Sequence, residues 1–137
     1  MVAFLGALEA QLPLLEVHVS PGAETLHGAR GIVAVEPGIA GVGEARTEKG
    51  QMPKAVVPAA RRALESAGIG LADLRAVKTH NPFAVNDIAF ARATGADVMS
   101  MNNYGCSLIW GHPQGPTGLR AIVELIDLVN SIPTEGD

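Results

Sequence analysis

The residues best suited to chemistry are concentrated in one stretch towards the end of the chain. His112 lies between Gly111 and Pro113 in a glycine-rich loop, and Asn102 and Cys106 precede it. The loop leads directly into an amphipathic segment, so the imidazole is expected at the N-terminal end of a helix. Free backbone N–H groups and the helix dipole favour negative charge at such an end. The pattern therefore indicates a site that stabilises an oxyanion.

This stretch resembles the C-terminal active-site loop of the thiolase superfamily, in which an asparagine, paired glycines and a Gly-His-Pro segment occur in fixed order. The matching positions are Asn102, Gly105, Gly111, His112, Pro113, Gly115, Thr117, Gly118 and Arg120. Cys106 replaces the second of the paired glycines. A second block, His80-Asn81-Pro82-Phe83, stands about thirty residues upstream, where sterol-carrier-type thiolases carry His-Asp-Cys-Phe. The resemblance is strong over about residues 51–130 and weak before them.

The resemblance implies roles for two histidines. The equivalent of His112 activates the nucleophilic cysteine of a thiolase. An imidazole can accept a thiol proton and, once protonated, hold a thioester oxyanion. His80 stands where the superfamily places a group that helps to form an oxyanion hole. The loop residues expected to support both histidines are Asn81, Asn102, Gly111, Gly115 and Gly118. The structural alternative is that each histidine only bonds the backbone of a turn.

Four nearby residues are expected to have structural roles. Cys106 matches a packing position of the family, and cysteine is often buried as a small hydrophobic residue, so we do not predict it as a nucleophile. Phe83 is expected to pack and so to fix its loop. Asn86 and Asp87 are interpreted as residues at the start of a helix, and not as an acid/base pair.

The composition is that of a globular protein. Apolar residues make up 47% of the chain and charged residues 18%, with a net charge of −4. These values exclude a disordered chain and argue against a nucleic-acid partner. The single cysteine excludes an intramolecular disulfide and a Cys-based metal site, and it fits a cytoplasmic protein. The four histidines show no metal-ligand spacing, and the apolar N-terminal run is interrupted by Glu9, so neither a metal nor a membrane segment is predicted.

Strand and helix patterns alternate, which predicts an α/β protein with a mixed sheet and helices on its faces. Strands are predicted at 14–19, 32–35 and 75–79, and helices at 2–12, 58–67, 85–93 and 117–130. The glycine-rich stretch Gly38–Gly43 is interpreted as a turn or bulge rather than a phosphate-binding loop. Residues 1–50 are assigned to a poorly matched segment of the same domain, and residues 51–137 to a thiolase-like C-terminal domain.

Two of these helices carry specific expectations. Pro58 is expected in the first turn of its helix, which should bury an alanine- and leucine-rich stripe and end at Gly68. Thr117 is expected to cap the last helix. The residues of that helix expected to face inward, against the sheet or a partner, are Leu119, Ile122, Val123, Ile126 and Val129. The loop 80–83 follows a strand predicted to be parallel, at the end where open α/β sheets bind their ligands.

As a whole, the resemblance implies part of a thiolase-like acyltransferase that makes or cleaves carbon–carbon bonds in 3-ketoacyl-CoA thioesters. Its substrate would be an acyl-CoA, and no further cofactor is expected. A thiolase has two similar halves, with the acyl-accepting cysteine in the N-terminal half and a second cysteine on a terminal strand, and this sequence carries neither. We therefore expect the chain alone to be inactive. The expected partner is the missing N-terminal half or another subunit, in a homo- or hetero-oligomer, and the resemblance also allows a small OB-fold partner.

Two alternatives stay open. A thiolase-like aldolase would cleave a β-hydroxyacyl-CoA without an acyl-cysteine, so a nucleophilic cysteine in the missing half would distinguish the two enzymes. A non-catalytic assembly module, from a different functional class, would only dimerise or bind lipid or coenzyme A.

Overall fold

The computed structural model describes residues 14–20, 26–35, 38–48, 50–103, 105–113 and 115–131. Its strands are β1 (Leu14–Ser20), β2 (Leu26–Val35), β3 (Gly38–Glu48) and β4 (Ala76–Thr79). Its helices are α1 (Met52–Ala67), α2 (Ala84–Thr94), α3 (Ser107–Trp110) and α4 (Thr117–Ser131), with a 3-10 turn at Leu71–Asp73. None of the helices in the described ranges is long and apolar enough to cross a membrane. The predicted α/β class is confirmed, whereas the predicted helix over 2–12 lies outside the described residues.

The strands form one mixed sheet in the order β3-β2-β1-β4. β1 pairs antiparallel with β2, and β2 pairs antiparallel with β3. β4 joins the other edge of β1 in parallel, with Leu14 opposite Ala76 and Val17 opposite Thr79. The prediction of a parallel strand immediately before His80 is therefore confirmed. Because a parallel connection needs a crossover, α1 spans the distance between β3 and β4.

The interpretation of Gly38–Gly43 as a turn is wrong, because the segment is the first half of β3. A bulge does occur there: Val33 pairs with Gly41 and Ala34 with Ile39, which leaves Ala40 as the extra residue. The glycines answer a packing constraint. A Cβ at Gly41 would collide with the Ala63 carbonyl oxygen of α1, and a Cβ at Gly43 would collide with the Ala59 carbonyl oxygen. The glycines therefore let α1 lie directly on the strand.

The predicted start of the first helix at Pro58 is also wrong. α1 begins six residues earlier, at Met52, and Pro53 occupies the position in the first turn where proline costs no hydrogen bond. Pro58 lies inside the helix, where it cannot donate to the carbonyl of Lys54. Burial offsets this loss, because Ala55, Val56 and Val57 lie in the core together with the predicted stripe. The predicted end at Gly68 is confirmed, with that glycine in the left-handed conformation.

Helices contact β4 from both faces. Val77 packs against the main core cluster, which contains the buried residues of α1 and Phe90 of α2. Ala76 packs instead against Leu125 of α4. Successive side chains of a strand point to opposite faces, so α1 and α4 contact β4 on opposite sides. The short strand that precedes His80 is thus enclosed by two helices.

The residues predicted to face inward on α4 do not pack against the sheet. Leu119, Val123 and Ile126 are exposed in the described chain, and Ile122 is only partly buried. The buried face of α4 carries two polar residues, one alanine and one leucine instead, namely Thr117, Glu124, Ala121 and Leu125. α4 therefore has two faces with residues at helical spacing. The larger apolar side chains favour burial of the outer face, but the other face is buried because Glu124 pairs with Lys78. The side chain of Val129 lies outside the described residues, and burial of the outer face by a partner stays a prediction.

The contact between β3 and α1 predicts a large effect of a single methyl group. Gly43→Ala should lower the free energy of unfolding by about 1–3 kcal/mol, because the new Cβ would overlap backbone atoms that cannot rotate away. Gly70→Ala is the matched control, since a Cβ there meets only the Asp73 carboxylate at 3.4 Å. Urea denaturation of both variants measures the difference. Equal midpoints would show that the helix does not pack on β3 as described.

Candidate active site

Two loops meet at the C-terminal end of β4. The first loop, 80–83, continues the strand into α2. The second loop, which connects α2 to α3, passes the strand at Asn102. The Asn102 backbone N–H donates to the Val77 carbonyl at 3.0 Å, and the Thr79 N–H donates to Asn102 Oδ1 at 2.8 Å. Asn102 has φ 56°, a left-handed conformation that asparagine tolerates better than most residues. Asparagine therefore satisfies both requirements at this position: the backbone conformation and the side-chain acceptor.

The Asp87 carboxylate, in the first turn of α2, connects the two loops. It accepts a short hydrogen bond from the Thr79 hydroxyl, one from Asn81 Nδ2 at 2.6 Å, and one from Asn102 Nδ2 at 3.1 Å. The Asn102 amide also donates to the Thr79 hydroxyl at 2.8 Å. The interpretation of Asp87 as a mere helix-start residue missed this role, because its three partners come from different parts of the chain.

Asn81 is almost fully buried and faces the interior of the loops. Its Nδ2 donates to Asp87, and its Oδ1 accepts the backbone N–H of Ser107 at 3.0 Å, at the start of α3. Both polar atoms of its side-chain amide are therefore engaged within the protein. Asn81 therefore holds the two loops at a fixed separation.

The two histidines lie in contact. The ring centroids of His80 and His112 are 4.5 Å apart, with an interplanar angle of 63°. His80 is buried, with 4% of its surface exposed, whereas His112 is exposed to solvent. His112 Nδ1 lies 3.0 Å from the Thr117 hydroxyl, so one edge of this ring is held by the first residue of α4. Two imidazoles at this separation can address one oxygen atom that develops negative charge, which is the arrangement that oxyanion stabilisation requires.

The glycines of the His112 loop differ in what they contribute. Gly111 has φ 87°, a conformation that favours glycine, and its N–H donates to the Ser107 carbonyl at 3.0 Å. Gly118 lies in the first turn of α4, and a Cβ at Gly115 would meet nothing within 4 Å. The backbone of the loop therefore requires glycine at Gly111. Thr117 is the first residue of the helix rather than a residue preceding it, and its hydroxyl bonds His112.

Charged residues lie under the His112 loop where none was predicted. Lys78 of β4 is 2% exposed and pairs with Glu124 of α4 at 2.8 Å. Glu124 also pairs with Arg120, one helical turn before it, at 3.2 Å. Lys78, Glu124 and Arg120 line a cavity of about 10 Å³ together with His80 and residues of the two loops. A space of this size holds about one water molecule.

Cys106 lines the same cavity and is buried. Its carbonyl accepts the backbone N–H groups of Ile109 and Trp110, so the residue also begins α3. Within the described residues no group of three or more histidine, cysteine or acidic side chains could hold a metal ion.

Phe83 does not pack as expected. Its side chain is exposed, and the polar bonds of Asn81 and Asp87 fix the loop in its place. The other large apolar residues exposed near the two loops are Val85, Ile88, Leu108, Ile109 and Trp110. The indole of Trp110 lies against Gly105, where any side chain would overlap it.

The sequence of this domain matches a known family. The sequence model of the family "Thiolase, C-terminal domain" matches residues 33–134. The chain belongs to the thiolase C-terminal domain family. The match begins near the end of β2, and so includes β3, β4 and both loops but not β1.

Curated relatives of this thiolase domain are acyltransferases by name. An acetyl-CoA acetyltransferase of Syntrophomonas wolfei is 34% identical over 113 residues, which cover 81% of this chain and 25% of the relative. An acetyl-CoA acetyltransferase of Pseudomonas aeruginosa is 34% identical over 67% of this chain and 20% of its own length. The beta-ketothiolase BktB of Cupriavidus necator is 34% identical over 58% of this chain and 21% of its own length. The chain thus spans about a quarter or less of these relatives. No solved structure gives a significant match.

Three important residues escaped the sequence analysis, and each left a signal. Lys78 is a charge inside a strand predicted to be parallel, and because parallel strands are usually covered on both faces, such a charge requires a partner. Glu124 follows Arg120 by four residues on the same helix face, the spacing of an ion pair. Asp87 left the weakest signal, because only the folded loops show that three donors converge on it.

The three hydrogen bonds that converge on Asp87, here called the Asp87 hub, lead us to predict a specific loss of stability. Asp87→Asn keeps the shape but replaces one acceptor oxygen by a donor, which would face a donor of Thr79, Asn81 or Asn102. The free energy of unfolding should fall by about 1–3 kcal/mol, the cost of a buried group without a partner. Asp97→Asn is the control, because the exposed Asp97 carboxylate accepts only the Met99 N–H at 3.0 Å. Thermal unfolding of both variants distinguishes them, and an Asp87 variant as stable as the control would contradict the hub.

Proposed function

We propose that this domain supplies the His80 and His112 half of an acyl-CoA site in a thiolase-type acyltransferase, acting on 3-ketoacyl-CoA thioesters. The contact between the two imidazole rings carries this proposal. His80 is the buried ring of the pair and His112 is the ring exposed to solvent, so a substrate would approach from the side of His112. The names of the curated relatives support an acyl-CoA substrate.

In the cleavage direction His112 would take the proton of a cysteine thiol supplied by another part of the enzyme. The thiolate would attack the 3-keto carbon, and the bond between C2 and C3 would break with its electron pair on C2. The resulting enolate of acetyl-CoA would take a proton from a second acid of the completed enzyme. The thiol of coenzyme A would return a proton to that group as it accepts the acyl group from the cysteine. His80 and His112 would donate hydrogen bonds to the oxygen that carries negative charge in these steps.

The completing cysteine is proposed to come from a thiolase N-terminal half, on the same or another polypeptide. The coverage of the relatives supports this, because the aligned region is a quarter or less of their length. Because the domain belongs to the thiolase C-terminal family, we also propose the layered thiolase arrangement for the whole domain. Because a completing half is needed, we propose an oligomeric enzyme. An enzyme that turns over without an acyl-cysteine would instead be the aldolase described above.

Substitution of His112 in the assembled enzyme tests the proposed function. His112→Ala should lower kcat by on the order of 10²-fold or more, because it removes a base and an oxyanion donor together. Thr117→Val removes only the hydroxyl at Nδ1 and should cost about tenfold. Thr94→Val is the control, since that hydroxyl bonds Phe90 within α2. A loss below threefold in the His112 variant, with the fold intact, would remove His112 from the mechanism.

The 137-residue chain by itself should show no turnover. Thiolysis needs a covalent acyl carrier in addition to a base, and the only thiol here is the buried Cys106. Incubation with acetoacetyl-CoA and coenzyme A, followed by mass spectrometry of the intact protein, should show no acyl adduct. Cys106→Ser should behave identically. Turnover above background with acyl-Cys106 would overturn both the packing role of this cysteine and the need for a completing half.

A further inference from the structure

Three charged side chains connect β4 to the His112 loop, and none of them is used in the chemistry proposed above. Lys78 in β4 lies two residues before His80 and is almost fully buried. Its ammonium donates to the Gly105 carbonyl and pairs with Glu124 Oε2 at 2.8 Å. The other oxygen of Glu124, Oε1, pairs with Arg120 Nε at 3.2 Å. One carboxylate thus bridges two cations.

The guanidinium of Arg120 reaches the loop itself. Its NH1 donates to the Gly111 carbonyl at 3.0 Å, and its NH2 donates to the Ser107 hydroxyl at 3.1 Å. Arg120 is therefore held in three directions, by an ion pair with Glu124 and by hydrogen bonds to Gly111 and Ser107. Its planar, rigid group of donors suits this geometry, whereas the single ammonium of lysine does not.

We propose that Lys78, Glu124 and Arg120 form a network of ion pairs, here called the charge relay, that holds His112 in position against His80. No proton moves along it. The Gly111 carbonyl belongs to the same rigid peptide plane as the His112 N–H, so the Arg120 bond fixes the direction in which His112 enters the site. Thr117 then fixes the ring at Nδ1. The other end of the relay lies in β4, the strand that carries His80. The relay therefore sets the separation of the two rings.

Burial supports positioning over simple stabilisation. Removing a carboxylate and an ammonium from water costs much of what their attraction returns, so a buried ion pair is weak evidence for stability alone. An apolar pair could fill the space between β4 and α4, as Ala76 and Leu125 do beside it. Apolar side chains could not bind the Gly111 carbonyl. The positioning of the two rings does not depend on the proposed function. The expected effect on turnover does depend on that function.

The first test replaces Arg120 while keeping its charge. Arg120→Lys can still pair with Glu124 but cannot bond Gly111 and Ser107 together. In NMR spectra of the 137-residue chain, cross-peaks between the His80 and His112 ring protons should weaken or vanish, and the amide signals of Gly111 and His112 should shift. Arg61→Lys is the matched control, because Arg61 also donates to a backbone carbonyl, that of Ala93 at 3.3 Å, outside the two loops. Cross-peaks unchanged by Arg120→Lys would overturn the proposal.

The second test removes the ion pair as a unit. The double variant Lys78→Met and Glu124→Leu removes both charges of the buried pair, so neither charge is left buried alone and the variant should fold. Arg120 then loses its anchor, and the Gly105 carbonyl loses its donor. The ring cross-peaks should again disappear although the remaining spectrum stays that of the native fold. A double variant that keeps the two rings together, or one that fails to fold, would contradict a positioning role.

Kinetics of the assembled enzyme separate this proposal from the function on which it depends. Arg120→Lys should lower kcat by about tenfold or more with KM within about twofold, as expected when a reacting group is displaced while substrate binding is retained. If the two rings separate in Arg120→Lys but His112→Ala has no effect on turnover, the proposed function fails and the relay stands. If His112→Ala is severe while Arg120→Lys changes neither cross-peaks nor kcat, the relay fails and the function stands.

Discussion

The site depends first on the acceptance of three hydrogen bonds by one carboxylate. Asp87 binds Thr79 at the end of β4, Asn81 in the first loop and Asn102 in the second. A single anionic acceptor is a strong choice for this position, since hydrogen bonds to charged groups contribute more than neutral ones and become stronger where water is excluded. Without it, Thr79, Asn81 and Asn102 would lose their shared acceptor, and the loop that carries His80 would be held to the chain around Asn102 by fewer bonds.

The sequence predicted those parts of the fold that depend on local pattern. The strand β1, the parallel strand before His80 and the glycine that ends α1 were predicted, because periodicity and left-handed glycines act over a few residues. The errors arose where a distant partner decides. Gly41 and Gly43 are explained by the approach of α1, and the choice between the two faces of α4 depends on Lys78, which is distant in sequence.

The site shows the same division between what the sequence could and could not provide. The spacing of glycines around His112 and the His80 block identified both loops by resemblance, and the structure places the rings 4.5 Å apart. The supporting groups could not be found in this way. Phe83 was expected to fix its loop because it is large and apolar, yet the polar side chain of Asp87 does so. Hydrophobic size predicts burial on average, whereas a loop that must carry backbone polar groups into the interior needs hydrogen-bond partners.

A strand of four residues can hold a buried histidine because each residue of β4 is bound to a different neighbour. Ala76 packs on Leu125, and Val77 packs in the main core while its carbonyl accepts Asn102. Lys78 and Thr79 then point to opposite faces, where they meet the charge relay and the Asp87 hub. The two polar networks are therefore separated by the strand itself and do not compete for partners. His80 follows directly, so both networks hold the backbone from which its ring extends.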